Sequence, residues 1–206
     1  MRYVELAINA PVNRGRLLSL GEYENAIIPK DNKYLSGNKT LFRSTYVYDQ
    51  EAKEYVDKNK TLKNYHGPRY IDLIPIDIDK GDNTNEKTLD ILRSIISELE
   101  AVGIGCGSFQ PYFSGSGYHL MLSGDLFNFK ASPDLPYIVK QTMNKLMPDI
   151  DLSIYMRTGI YRLQHTVNKK TELFKIPITR NEVFNLDPVD IFKLAENQRL
   201  DYKYHK

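Results

Sequence analysis

The segment Tyr70 to Asp79, YIDLIPIDID, constrains the fold of this chain more than any other stretch. It is rich in isoleucine and stops at Lys80-Gly81-Asp82-Asn83, so it reads as a buried strand running into a turn. Alternate strand residues share a face, so Asp77 and Asp79 project together while Ile76 and Ile78 pack on the opposite side. The covering element follows at once. Asn83 with Glu86 three residues on resembles a capping box, and Leu89, Leu92, Ile96 and Leu99 recur at helical spacing until Gly103 ends the run. This is a helix packed on a sheet.

Two short strands are expected next, around Ser108–Phe113 and Tyr118–Leu122, joined by the turn Ser114-Gly115-Ser116-Gly117. Ser132-Pro133 opens a second helix with the face Leu135, Ile138, Val139, Thr142 and Leu146, ended by Pro148. Strand signals return at Ile150–Tyr155, Gly159–Leu163 and Leu173–Thr179, and Asp187-Pro188 caps a last helix through about Asn197. The first 65 residues read less clearly, because apolar pieces such as Ala26-Ile27-Ile28 and Leu41-Phe42 are broken by Gly, Pro, Asn and Lys. Strand, helix, two strands, helix and further strands make an α+β chain. The simplest assembly puts helices on one face of a largely antiparallel sheet, a split βαβ, RRM-like unit.

Composition narrows the class. With 41% hydrophobic and 26% charged residues the chain is a globular protein, not a disordered or fibrous one. No apolar run approaches the roughly 20 residues of a membrane span, and the N-terminus lacks the apolar core of a signal peptide, so no membrane partner and a cytoplasmic location are expected. The single cysteine, Cys106, forms no internal disulfide, and one Cys with four scattered His does not make a zinc site. No repeat or long linker divides the 206 residues. The Tyr excess fits base stacking or amphipathic packing equally well.

The net charge of +2 conceals local imbalance. Between Ser153 and Asn181 six basic residues (Arg157, Arg162, Lys169, Lys170, Lys175 and Arg180) face one acid, Glu172. Tyr70 to Asp90 is acidic. Such a pairing is either two solvated faces or a polyanion site beside acids that bind cations. Asp77 and Asp79 repel each other unless a cation or proton lies between them, and hard oxygen ligands suit Mg²⁺ or Mn²⁺; the alternative is a strand end entering a polar turn. Ser114–Gly117 followed by His119 offers amides, hydroxyls and an imidazole to a phosphate, or is simply a tight hairpin. Asp151, read as an acid on a strand before Arg157, Arg162, Asn168, Lys169 and Lys170, completes a three-carboxylate site or belongs to an ordinary ion pair.

In this order the pieces resemble the archaeo-eukaryotic primase (AEP) superfamily, in particular the primase-polymerases of viruses, plasmids and other mobile elements. Ile74-Pro75-Ile76-Asp77-Ile78-Asp79 matches its acid-x-acid strand end, and Ser114-Gly115-Ser116-Gly117-Tyr118-His119 its Ser/Gly turn and His. Asp151 with Tyr155 and Tyr161-Arg162 matches its third motif, and Asn168 to Pro177 its basic nucleotide-binding tail. Two positions depart: Gly117 stands where many members have Ser, passing the phosphate contact to Ser114, Ser116 or backbone amides, and Gly159 where many have Arg, with Arg157 as the substitute. The resemblance covers about residues 65–177. It implies a single primase-polymerase catalytic domain over 1–206, with an N-terminal α/β subdomain to about 65, an RRM-like catalytic unit over about 66–180 and a C-terminal helix and tail over 181–206.

The activity so implied is template-dependent nucleotidyl transfer, as a DNA primase or DNA polymerase in DNA replication. Asp77, Asp79 and Asp151 would bind two Mg²⁺ or Mn²⁺ ions, with His119 as the further catalytic residue. Ser114, Ser116, His119, Arg162, Asn168 and Lys170 would bind the nucleotide, with Lys169 and Lys175 adding charge. Expected partners are single-stranded DNA template and primer, NTP or dNTP, and a helicase or other replication proteins, since the sequence shows no zinc-binding or helicase segment. The expected setting is a prokaryotic host or a virus- or plasmid-encoded gene. Two other activities use the same residues: a metal-dependent nuclease, and a non-catalytic RRM-type module for single-stranded nucleic acid.

Overall fold

The computed structural model describes residues 1–10, 14–26, 40–148 and 150–202. The Ile27-Ile28 piece lies outside them. The chain runs through β1 (Tyr3–Ile8), β2 (Leu17–Ser19), α1 (Leu20–Ala26), β3 (Leu41–Tyr48) and α2 (Gln50–Asn59). It continues through β4 (Leu73–Ile78), α3 (Asn85–Ala101), β5 (Phe109–Phe113), β6 (Tyr118–Ser123) and α4 (Leu135–Leu146). β7 (Ile160–Arg162), β8 (Ile176–Pro177), α5 (Arg180–Asn185) and α6 (Pro188–Leu194) complete it. Among the described residues this is a mixed α+β protein with two antiparallel four-stranded sheets, ordered β2-β1-β3-β7 and β4-β6-β5-β8, and six α-helices. The chain therefore crosses back: β7, from the last third, pairs with β3 and completes the sheet begun by the first residues.

Register assigns every side chain of the second sheet to a face. Ile74, Ile76 and Ile78 stand opposite Leu122, Leu120 and Tyr118, which stand opposite Phe109, Pro111 and Phe113. All nine are buried, beneath a helical layer that includes α3. Leu89, Leu92 and Ile96 of α3 are fully buried, each contributing on the order of 2 kcal/mol of hydrophobic stabilisation. The other face carries three rows: Asp77, His119 and Tyr112; then Pro75, Met121 and Gln110; then Leu73 and Ser123. The acid pair therefore stands at one end of a face whose reverse is the core.

Several local expectations shift. Thr84, not Asn83, caps α3, its hydroxyl accepting the Lys87 N–H at 3.1 Å, while the Asn83 N–H closes the preceding turn onto the Lys80 carbonyl. α4 begins at Leu135, and the Ser132 hydroxyl accepts the Asp134 N–H ahead of it. Its buried face is Leu135, Pro136, Val139 and Met143, which leaves Ile138 and Leu146 43% and 56% exposed. Ile150–Tyr155 is not a strand. Asp151 caps a 3-10 turn over Leu152–Tyr155, its carboxylate accepting the Ser153 N–H at 2.7 Å and hydroxyl at 2.6 Å, local bonds that compete with extension. The last helix stands behind Asp187 as expected, as α6, and a short helix the sequence reading did not include, α5, precedes it, with Thr179 and Glu182 forming its capping box.

Candidate functional site

The acid-x-acid strand end and the 3-10 turn converge. Carboxylate oxygens of Asp77, Asp79 and Asp151 lie within 4.8 Å of one another. What brings Asp151 there is backbone: its N–H donates to the Asp77 carbonyl at 3.1 Å, on the edge of β4 away from β6. Behind it the Tyr155 hydroxyl donates to the Pro75 carbonyl at 2.6 Å, and the Tyr46 hydroxyl donates to the Tyr155 carbonyl at 2.8 Å. A sequence separation of more than seventy residues is closed by these bonds.

His119 lies beneath Asp77 in the adjoining strand. Only 5% exposed, it has Nε2 3.3 Å from Asp77 Oδ1 and Nδ1 2.8 Å from Lys175 Nζ. Lys175 is 2% exposed and also donates to the Arg162 carbonyl at 2.7 Å. Burial, with the Lys175 charge beside it, lowers the His119 pKa. A neutral ring donating from Nε2 and accepting at Nδ1 satisfies both contacts. Burial, aided by Arg162, also draws Lys175 down to about 7. Burial opposes ionisation of Asp77, yet His119, Lys175 and Arg162 hold its carboxyl below the ordinary carboxylate range. Asp79 goes the other way: the Asp77 charge, then burial, then the Asp151 charge raise it against Lys170 and Arg162. The donor set is oxygen only and carries surplus negative charge, which fits a hard divalent cation such as Mg²⁺ or Mn²⁺.

The Ser114–Gly117 turn abuts the acids. A side chain at Gly117 would run into the Ile78 carbonyl and crowd Asp79, so only glycine lets the turn approach β4. Ser114 is buried, its hydroxyl accepting the Gly117 N–H at 3.1 Å, while Ser116 faces solvent and takes a 3.3 Å hydrogen bond from the Asn168 amide. Asn168 is buried against Gly115, and its carbonyl oxygen accepts the Lys170 N–H. Gly159 has the same cause: a Cβ there would overlap the Ile154 carbonyl. Arg157 lies instead against Asp134, 3.7 Å away.

Asp77, Asp79, Asp151 and His119 therefore meet in one place, Arg162 and Lys170 act on the charge of its carboxylates, and Ser116 and Asn168 stand at the adjoining turn. Ser114 is turned inward. Sequence reasoning underrated Lys175, whose only signal was a cation placed directly before the apolar run Ile176-Pro177-Ile178. No family profile, curated protein or solved structure matches this chain.

Proposed function

We propose that this chain is a template-dependent nucleotidyltransferase of the primase-polymerase kind, taking nucleoside triphosphates and single-stranded DNA. The observation that carries the reading is the convergence of Asp77, Asp79 and Asp151 beside Arg162 and Lys170, a cluster of anions edged by cations. The order β4-β6-β5, with α3 joining β4 to β5, supports a split βαβ, RRM-like sheet as its platform. The fourth strand, β8, adds at β5, and the Asp151 segment occupies the edge beside β4.

The three carboxylates would hold divalent metal, which when bound supplies Lewis-acid stabilisation of charge on the reacting phosphate. The protein's own residues do the rest. Arg162 and Lys170 neutralise phosphate charge, and the Ser116 hydroxyl donates at the turn. His119 works through Asp77: its Nε2 hydrogen bond fixes the carboxylate, and Lys175 fixes the ring. No helix among the described residues is long and apolar enough to cross a membrane.

The test is incubation of the chain with primed single-stranded DNA, Mn²⁺ or Mg²⁺ and labelled NTP or dNTP. Extension that disappears in D77N/D79N is the expected result. Shortening of the DNA would make the protein a nuclease, and metal-independent binding without turnover a non-catalytic module.

A further inference from the structure

α3 buries Leu89, Leu92 and Ile96 and leaves another side open. On that side Lys87, Ser94 and Glu98 are exposed and Ile91 is half-buried. A groove of about 710 Å³ runs beside them, and its far wall is Leu146, Met147 and Ile150 at the end of α4. Leu146 is exposed on that wall. Glu98 lies three turns beyond Lys87, displaced by only about 20° around the axis, so the two charges stand on one line about 16 Å apart with Ile91 and Ser94 between them. Neither charge has an ion-pair partner among the described residues; Glu98 only accepts the Ser94 hydroxyl at 3.2 Å.

That line is complementary to itself. Turned end for end about a two-fold axis, Lys87 falls on Glu98, Ile91 on Ser94, and each of these on the other in return, the reciprocal matching an isologous contact requires. We infer that α3 pairs antiparallel with α3 of a second copy of this chain, Lys87 of each copy against Glu98 of the other, each helix lying in the other's groove along Leu146 and Met147. Charge complementarity selects a second copy as the occupant: one register satisfies both unpaired charges twice over. Ser94, small and central, lets the axes approach to the roughly 8–10 Å of packed helices. The apolar contribution is confined to Ile91, Leu146 and Met147, so the dissociation constant is expected to be on the order of micromolar. α3 covers the core face of the second sheet and Asp77 stands on the other face, so the two copies sit back to back with their acid clusters outward. The pairing does not depend on the nucleotidyltransferase reading.

Sedimentation velocity of the full chain in low-salt buffer, from low micromolar to several hundred micromolar protein, tests it. The wild type should pass from monomer to dimer across that range. K87E and E98K each set like charges together at both contacts and should each weaken dimerisation about tenfold. An equimolar mixture of the two variants should recover it, because every contact then joins opposite charges again, a rescue that repair within one chain cannot produce. S94W should block the crossing, and K140E, which makes the same charge change as K87E but lies outside the groove, should dimerise like wild type. A wild type that stays monomeric would leave the face to a different partner and overturn the inference. So would a mixture no more associated than K87E or E98K alone, or a dimer that persists unweakened in S94W.

Discussion

Lys175 Nζ stands 2.8 Å from His119 Nδ1, so a buried cation fixes which ring nitrogen of the histidine is left to donate to Asp77. The chain Lys175, His119, Asp77 is a relay of orientation that ends on a carboxylate of the acid cluster. Replacing Lys175 with Met keeps the stem and removes the charge. The change leaves His119 Nδ1 and the Arg162 carbonyl without their donor, so K175M should cost about 1–3 kcal/mol, several degrees of melting temperature, and still be folded at assay temperature. Nucleotide incorporation should nevertheless fall about 10–100-fold, the range seen when a group supporting a metal ligand is lost. Thermal melting and primer extension on the same preparation check this; undiminished extension would refute the relay.

Metal should stabilise the chain by mass action. Millimolar Mn²⁺ is expected to raise the melting temperature of the wild type and to leave that of D79N/D151N unmoved. Without metal the order inverts: Asp79 is raised by the charges of Asp77 and Asp151, so Asp79→Asn relieves repulsion and should stabilise the metal-free chain by about 0.5 kcal/mol, discounted for its exposure. Differential scanning calorimetry in EDTA and in Mn²⁺ reads both effects.

Gly117→Ala sets a Cβ against the Ile78 carbonyl and should cost about 1–3 kcal/mol, a loss of several degrees in melting temperature. Gly105→Ala meets nothing within 4 Å and is the matched control, expected to change stability by less than about 0.5 kcal/mol. Equal melting temperatures for the two variants would contradict the close approach of the hairpin turn to β4.

Tyr155→Phe deletes the hydroxyl that donates to the Pro75 carbonyl and should cost about 1–2 kcal/mol. Because that bond ties the Asp151 turn to β4, the Mn²⁺-induced rise in melting temperature should shrink as well. An unchanged rise would mean that Asp151 is held in place without it.

Burial lowers the pKa of His165 to about 4, with Nδ1 unpartnered. The unfolded chain, with an ordinary histidine near 6.5, then binds the proton more tightly than the folded one. Stability is complete above pH 6.5 and declines as pH falls toward 4, by at most about 3 kcal/mol. His165→Asn, which tolerates the local φ of +62°, should flatten the stability profile between those limits in urea melts.

The elements legible in the sequence are those whose pattern is set locally. β4, α3 and the β5–β6 hairpin carry alternation, helical spacing and a Gly/Ser turn within their own residues, and each occurs within a few residues of its expected bounds. The acids Asp77 and Asp79 were legible for the same reason. What the sequence hid depends on partners distant in the chain. Asp151 sits in a 3-10 turn because its carboxylate binds Ser153, and its place in the site comes from a backbone bond to Asp77. Lys175 looks like one cation among six until His119 and the Arg162 carbonyl enclose it. The cavity of about 380 Å³ lined by Tyr112 and Met121 of one sheet and Tyr161 of the other was unreadable, since its walls come from both sheets.

The return of β7 to the sheet started by the opening residues gives the molecule a temporal order. During synthesis the carboxylates of β4 emerge long before Arg162 and Lys175, and until those arrive the first sheet lacks its edge strand. Neutralisation of the cluster and closure of the architecture are then a single late event, and a nascent chain halted before Ile160 carries the acids without their counter-charges.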